Sequence, residues 1–349
     1  MAVLILTDLL EAPVLDRALE PALQRALDGK AKPQGALGRI EELALRLGLI
    51  QRRLKPAVQR PVLLVFAGDH GLTRSGVAAF PSSVTVAMVD ALLAGEASAN
   101  AFARVVGAEV QVIDAGVAAD LSDRPTLVHA KIGLGTADAS LEPAMTRQQA
   151  EAALLTGTRV AEDALRSGAD LLALGEMGIG NSASAALLMH RLAPAPLDDC
   201  IGQGAGHSPE GMARKRAVLA QAAARSDATT PLDVLTQFGG YEIAMMAGAL
   251  LAAARAGVPV LVDGFIGTAA ALLAVRLAPA ARDYCLFAHA SAEAGHRLML
   301  AALDARPLLE LDLRLGEGTG ALLAVPLVQA ACALLSEVAD LSDVLEAAG

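Results

Sequence analysis

Aromatic residues are nearly missing from this chain: six Phe, two Tyr and no Trp make up 2% of 349 residues. With no stacking platform, a formal net charge of −10 and no basic stripe, a nucleic-acid surface is excluded. Cysteine is also scarce. Cys200, Cys285 and Cys332 form no close pair and are odd in number, which argues against a disulfide framework or a zinc site and fits a reducing cytoplasm. His289 and His296 lack ligand spacing, as does every other pair of histidines, so no metal is expected. A basic leader is missing too: the opening apolar run meets Asp8 and Glu11, and no signal peptide is expected. The longest apolar stretches, Ile243–Ala254 and Gly320–Leu335, are too short to span a bilayer and read as buried helices.

What is present is aliphatic. Hydrophobic residues reach 54%, so Ala, Leu, Val and Ile must fill the core, which suits helices packed on a buried parallel sheet. The 32 Gly and 16 Pro punctuate apolar runs along the whole length. Short strand-like runs at Pro61–Phe66, Val110–Ile113, Leu171–Leu174, Val258–Val262 and Tyr284–Ala288 alternate with longer helical ones, the pattern of βαβ units. Each run ends in small or polar residues, among them Gly68-Asp69-His70-Gly71, Gly175-Glu176-Met177-Gly178, Asp263-Gly264 and His289-Ala290-Ser291. In open parallel sheets, ligands bind outside these carboxyl ends. Helix starts are legible at Thr146-Arg147-Gln148-Gln149, a capping box, and at Ser208-Pro209-Glu210, a cap with a first-turn proline. Pro13–Lys55 and Leu322–Ala348 read as helical, suggesting a small helical subdomain built from both ends of the chain.

Three glycine-rich segments carry chemistry. Gly178-Ile179-Gly180-Asn181-Ser182-Ala183-Ser184, between a strand and a helix, reads as an anion cradle or as a tight turn. Its spacing is neither a Walker loop nor a dinucleotide fingerprint. Gly202-Gln203-Gly204-Ala205-Gly206 precedes the capped helix that bears Lys215, either a phosphate ligand or a surface lysine. Leu315-Gly316-Glu317-Gly318-Thr319-Gly320 sets a carboxylate between glycines before a long apolar helix, a general base or a capping acid. Asp69-His70 reads as turn residues rather than a catalytic pair, and no Gly-x-Ser-x-Gly elbow is present.

Together with Lys32-Pro33-Gln34-Gly35-Ala36-Leu37-Gly38-Arg39-Ile40-Glu41, Gly239-Gly240-Tyr241-Glu242-Ile243 and Ser291-Ala292-Glu293-Ala294-Gly295, these segments follow one family's order across nearly the whole chain. The sequence resembles the nicotinate-nucleotide–dimethylbenzimidazole phosphoribosyltransferases of cobalamin lower-ligand synthesis. The resemblance implies an α/β fold: a doubly wound, mostly parallel sheet domain (56–320) with a small all-helical domain (1–55 plus 321–349). It implies a cytoplasmic homodimer without cofactor, metal or membrane span, acting on small molecules. The reaction implied moves the phosphoribosyl group of nicotinate mononucleotide to 5,6-dimethylbenzimidazole. Glu317 matches the family's general base. Gly178, Gly180, Asn181, Ser182, Gly204, Lys215 and Ser291 would hold phosphate and ribose, and Glu176 and Gly264 would line the reacting centre. Leu315, Gly316, Phe80 and Met88 would complete the substrate pocket.

Two segments depart from the family. Members carry Gln in a Val-Thr-x-Gln-Met stretch that here reads Val84-Thr85-Val86-Ala87-Met88, and some place Ser where Phe80 stands. The loop that often reads Arg-Gly-Thr-Gly is Gln203-Gly204-Ala205-Gly206. Fewer amides and hydroxyls make the base pocket more apolar, and such pockets discriminate weakly between near-isosteric rings. Transfer to another benzimidazole, a purine or a phenol is therefore one alternative. A catalytically silent relative that binds nicotinate nucleotides is the other.

Overall fold

The structure is a computed structural model that describes residues 11–204 and 206–348. The opening stretch read against a signal peptide, and Ala205 of the glycine loop, lie outside the described residues. Helices α1 (Glu20–Asp28) and α2 (Arg39–Ile50) precede β1 (Pro61–Gly68). Then follow α3 (Ser83–Ala94), α4 (Ser98–Val106), β2 (Glu109–Gly116), β3 (Val128–His129), α5 (Arg147–Arg166), β4 (Leu171–Met177), α6 (Asn181–Leu192) and the short α7 (Leu197–Cys200). The second half runs α8 (Pro209–Arg225), α9 (Pro231–Phe238), α10 (Tyr241–Ala256), β5 (Val260–Val262), α11 (Phe265–Leu277), β6 (Cys285–Phe287) and β7 (His289–Ala290). It closes with α12 (His296–Ala302), β8 (Leu309–Glu310), α13 (Thr319–Ser336) and α14 (Leu341–Ala348).

Six strands form one parallel sheet in the order β3-β2-β1-β4-β5-β6, and β7 pairs with β8 in a separate parallel ribbon. The order reverses between β1 and β4, where a doubly wound sheet opens a crevice at its carboxyl edge. All eight residues of β1 are buried, as a strand covered on both faces must be. Side chains alternate across the pleat. Leu63 meets Gly318 at the start of α13 on one face, whereas the Cα of Gly68 abuts Glu242 at the start of α10 on the other. Helix α10 lies along β1, β2, β4 and β5, backed by α5; α13 lies on β4 and β5 and touches α2 and α4.

Both expected caps are present: Thr146 and Gln149 make a reciprocal box, and Ser208 Oγ accepts from Gly211 N–H at 3.2 Å. Other expectations need correction. The helical stretch 13–55 is two helices separated by turns at 29–38, and the C-terminal one breaks at 337–340. Tyr284 ends a 3₁₀ turn rather than starting a strand. The run Gly320–Leu335 belongs to an 18-residue helix, long and apolar enough by composition to cross a membrane. It packs instead against the sheet, α2 and α4. The two helical segments meet where Lys30 bridges Asp340 in antiparallel fashion and its Nζ bonds Val338 O at 2.9 Å. The Lys32–Glu41 motif has a structural use: Glu41 pairs with Lys32 Nζ at 2.9 Å and caps the Leu37 N–H.

Candidate active site

A cavity of about 290 Å³ opens at the carboxyl edge, walled by the ends of β4 and β5 and by the segments 77–80, 289–293 and 314–316. Its central element is a turn in which three successive residues have left-handed backbone: Gly316 (φ 91°), Glu317 (φ 61°) and Gly318 (φ 79°). A non-glycine residue in that region costs on the order of 1–3 kcal/mol, tolerated where surrounding contacts over-determine it. Here they do. Glu317 N–H donates to Glu176 O at 3.2 Å, and Thr319 Oγ1 donates to Gly316 O at 2.8 Å. A Cβ on Gly175 would stand 2.6 Å from the Glu317 carbonyl, so the turn seats directly on bare β4 backbone.

Three buried carboxylates gather there. Glu176, at the end of β4, lines the cavity and accepts from Asn181 Nδ2. Burial, reinforced by the charges of Asp263, Glu242 and Glu317, pushes its pKa up to about 8 against the opposing Asn181 bond. Glu317 is raised as well, by burial first and by Asp263, against a backbone hydrogen bond from Ala99 at the start of α4. Its Oε2 has no partner. Asp263, at the end of β5, lines the cavity, accepts Ala321 N–H at 2.9 Å, and lies 3.5 Å from His289 Nε2.

A buried cation lies beneath the cavity wall. Lys215 is fully buried; its Nζ donates to Gly202 O at 2.9 Å and Ser182 Oγ at 3.1 Å, close beneath Gly204. Burial drags its pKa down to about 8, with Glu293 pulling the other way. The N-terminus of α6 adds its dipole at Ser182. Ser291 is held by its backbone: its N–H donates to His296 Nδ1 at 2.8 Å. Burial, with help from His289 and Arg297, depresses His296 to about 3. The ring is therefore neutral and its Nε2–H donates to Thr268 Oγ1 at 2.8 Å. Ser291 Oγ accepts from Glu293 N–H at 3.2 Å, which leaves its own proton available to a ligand.

Of the residues singled out in the sequence, Phe80, Glu176, Gly178, Gly180, Asn181, Ser182, Gly204, Gly264, Ser291, Leu315 and Gly316 meet on this cavity. Three do not line it. Glu317 lies behind Gly316 and Glu176, Lys215 lies under Ser182 and Gly204, and Met88 sits on α3 packed against the core. Sequence reasoning left out Asp263, His289, Glu293, His207 and Arg314, all on the wall. Asp263 and His289 were visible as strand-end residues, but their convergence depends on β5 pairing with β6, beyond whose ends they lie. Asp69 and His70 diverge: Asp69 accepts from Thr85 Oγ1 at 2.7 Å, and His70 Nε2 meets Glu242 Oε1 at 2.7 Å.

A family model described as Phosphoribosyltransferase matches residues 12–344. A curated nicotinate-nucleotide–dimethylbenzimidazole phosphoribosyltransferase of Cupriavidus taiwanensis is 54% identical over 95% of this chain and 96% of its own length. One of the same name from Roseiflexus sp. is 47% identical, covering 94% of each. Among solved structures, CobT from Thermus thermophilus superposes with a TM-score of 0.90 at 44% identity, covering 93% of this chain and 98% of its own.

Proposed function

The chain belongs to the nicotinate-nucleotide–dimethylbenzimidazole phosphoribosyltransferase family, and from that premise we propose that it moves the phosphoribosyl group of nicotinate mononucleotide onto 5,6-dimethylbenzimidazole. The products are α-ribazole 5′-phosphate, which becomes the lower ligand of cobalamin, and nicotinate. One azole nitrogen attacks the ribose C1′ from the face opposite the pyridinium, the C1′–N bond breaks, and nicotinate leaves with its ring neutral. The other azole nitrogen gives up its proton to Glu317. Positioning supplies most of the acceleration, since the leaving group is already activated. The observation that carries this reading is one cavity whose wall holds a raised carboxylate, Glu176, beside the N-terminus of α6, with Lys215 bonded to Ser182 from beneath. Gly178, Gly180, Asn181, Gly204 and Ser291 frame the phosphate and ribose, and Gly264 lies beside Ser291 and His289.

Transfer to a different base is the second reading, favoured by an apolar rim in which the Phe80 side chain is half-exposed and Leu315 faces solvent. Acceptor choice then lies with these two and Ile266, which line the cavity. The test is turnover of nicotinate mononucleotide against dimethylbenzimidazole, benzimidazole, adenine and p-cresol, followed by nicotinate release and product mass. Fastest product from dimethylbenzimidazole is expected. Binding without product from any base would leave a silent nucleotide binder. Phe80→Ser should reorder the acceptors in competition while leaving KM for the nucleotide unchanged.

We also propose a cytoplasmic homodimer, with a core of 56–320 and a helical unit of 1–55 plus 321–349. Three buried free thiols support a reducing compartment. Light scattering at twice the chain mass is the expected result; a monomer would overturn the dimer.

A further inference from the structure

Two sequence segments, Asp69-His70 and Val84-Thr85-Val86-Ala87-Met88, stand off the cavity wall. Ala87 is exposed, and Met88 is partly buried against the core. Thr85 differs. It is fully buried on α3, and its hydroxyl is used twice. Thr85 Oγ1 accepts the Ile179 N–H at 3.1 Å and donates to Asp69 Oδ1 at 2.7 Å. Asp69 Oδ2 in turn accepts the Ala118 N–H at 2.9 Å, so both carboxylate oxygens are engaged. A hydroxyl that donates to a carboxylate is polarised and becomes a better acceptor for the next donor.

The amide held by this chain is the middle one of Gly178-Ile179-Gly180, the turn that leads from β4 into α6. Among the described residues, it makes the turn's one backbone hydrogen bond to another segment. It also sets which amides are spent. Ile179 N–H goes to Thr85 and Asn181 N–H to Gly178 O. Gly180 and Ser182 line the cavity, and their N–H groups have no acceptor among the described residues. The turn otherwise rests on close contacts. A Cβ on Gly178 would collide with Gly68 O, and one on Gly180 would stand 2.7 Å from the Thr73 methyl. Such contacts limit how near the turn comes to β1 but not how its peptides are rotated; a directional hydrogen bond fixes that.

Resting on the reading above, in which this turn and the start of α6 hold the nucleotide's phosphate, we infer that Asp69 and Thr85 are positioning residues for that phosphate. The chain from Asp69 through Thr85 to Ile179 commits the middle amide to the interior and leaves those of Gly180 and Ser182 to the anion. Donors already oriented bind an anion without the cost of ordering them at that moment. Neither Asp69 nor Thr85 lines the cavity, so both act through Ile179. Position 85 needs a hydroxyl. Valine would keep the shape and lose both bonds, whereas serine would keep both.

Titration calorimetry with nicotinate mononucleotide and with nicotinate riboside, which lacks the phosphate, tests this. Thr85→Val should weaken the nucleotide about tenfold and leave the riboside within about twofold. Thr85→Ser should restore nucleotide affinity to within about twofold of the unsubstituted protein. Asp69→Asn has one acceptor oxygen where two are used and should show the same selective loss; it carries the test if Thr85→Val does not fold. Equal losses for both ligands, undiminished nucleotide affinity in Thr85→Val, or no rescue by serine would overturn the inference. So would failure of both variants to fold, which would assign the pair to folding alone. No binding of the nucleotide by the unsubstituted protein would remove this inference and the proposed function together. Binding with the selective loss, but no product from any acceptor, would remove only the proposed function.

Discussion

Glu317 and Lys215 have opposite burdens. Glu317 is asked to accept a proton, so Glu317→Gln should lower turnover by about 10²–10⁴-fold with little change in nucleotide binding. Steady-state kinetics beside a binding titration would check this, and unchanged turnover would remove the base assignment. Lys215 is asked to hold a charge, so Lys215→Ala should weaken the nucleotide by about 10–100-fold, as loss of a charge-assisted hydrogen bond does. Nicotinate riboside, lacking the phosphate, is the control; equal losses for both would refute a phosphate role. Lys215 also marks a limit of sequence reading. It stands between Arg214 and Arg216 in a polar helix, where a lysine is normally solvated, yet it is wholly buried. What buries it is Ser182 and Gly202, which no local pattern ties to it. Met88, placed in the pocket by motif, stands on α3 partly buried against the core and outside the cavity wall.

Helices α5 and α10 cross at two glycines: Gly157 lies on the Met245 carbonyl and Gly248 on that of Leu154. Thr158 Oγ1 donates to both Leu154 O and Gly248 O at 3.1 Å. A Cβ has no room at either crossing, since backbone is what it would meet. Gly248→Ala should therefore cost on the order of 1–3 kcal/mol, read as a lower denaturation midpoint with unchanged slope. Elements of this size were mostly legible beforehand, because their signals are local. Caps at Thr146 and Ser208, the apolar run Ile243–Ala254 of α10 and five strand cores each declare themselves within a dozen residues. The two-residue strands β3, β7 and β8 did not, since two residues carry no periodicity. The approach of Glu317 to Gly175 was hidden for another reason: it joins segments far apart in sequence.

Across the whole molecule, the buried Glu176 makes stability depend on pH. Glu176 titrates higher in the folded chain than in the unfolded one, so between the two pKa values the folded state binds more protons. Its contribution is complete at acid pH and is lost as pH rises from the ordinary carboxylate range through about 8. Glu176→Gln, neutral at every pH, should therefore raise the apoprotein's melting temperature at pH 8, with the gain vanishing near pH 4. A gain independent of pH would contradict this account. The parts that set the wall are bare backbone, with Gly175, Gly316 and Gly318 in mutual contact with the turn and with Leu63 and Glu176. Phe80 and Leu315, by contrast, keep about half of their surfaces free at the rim. A lineage carrying this scaffold can consequently exchange its acceptor through one or two rim substitutions while inheriting the reaction unchanged. Its history of ligand choice is then written in the rim, and its chemistry in positions where side chains have no room to vary.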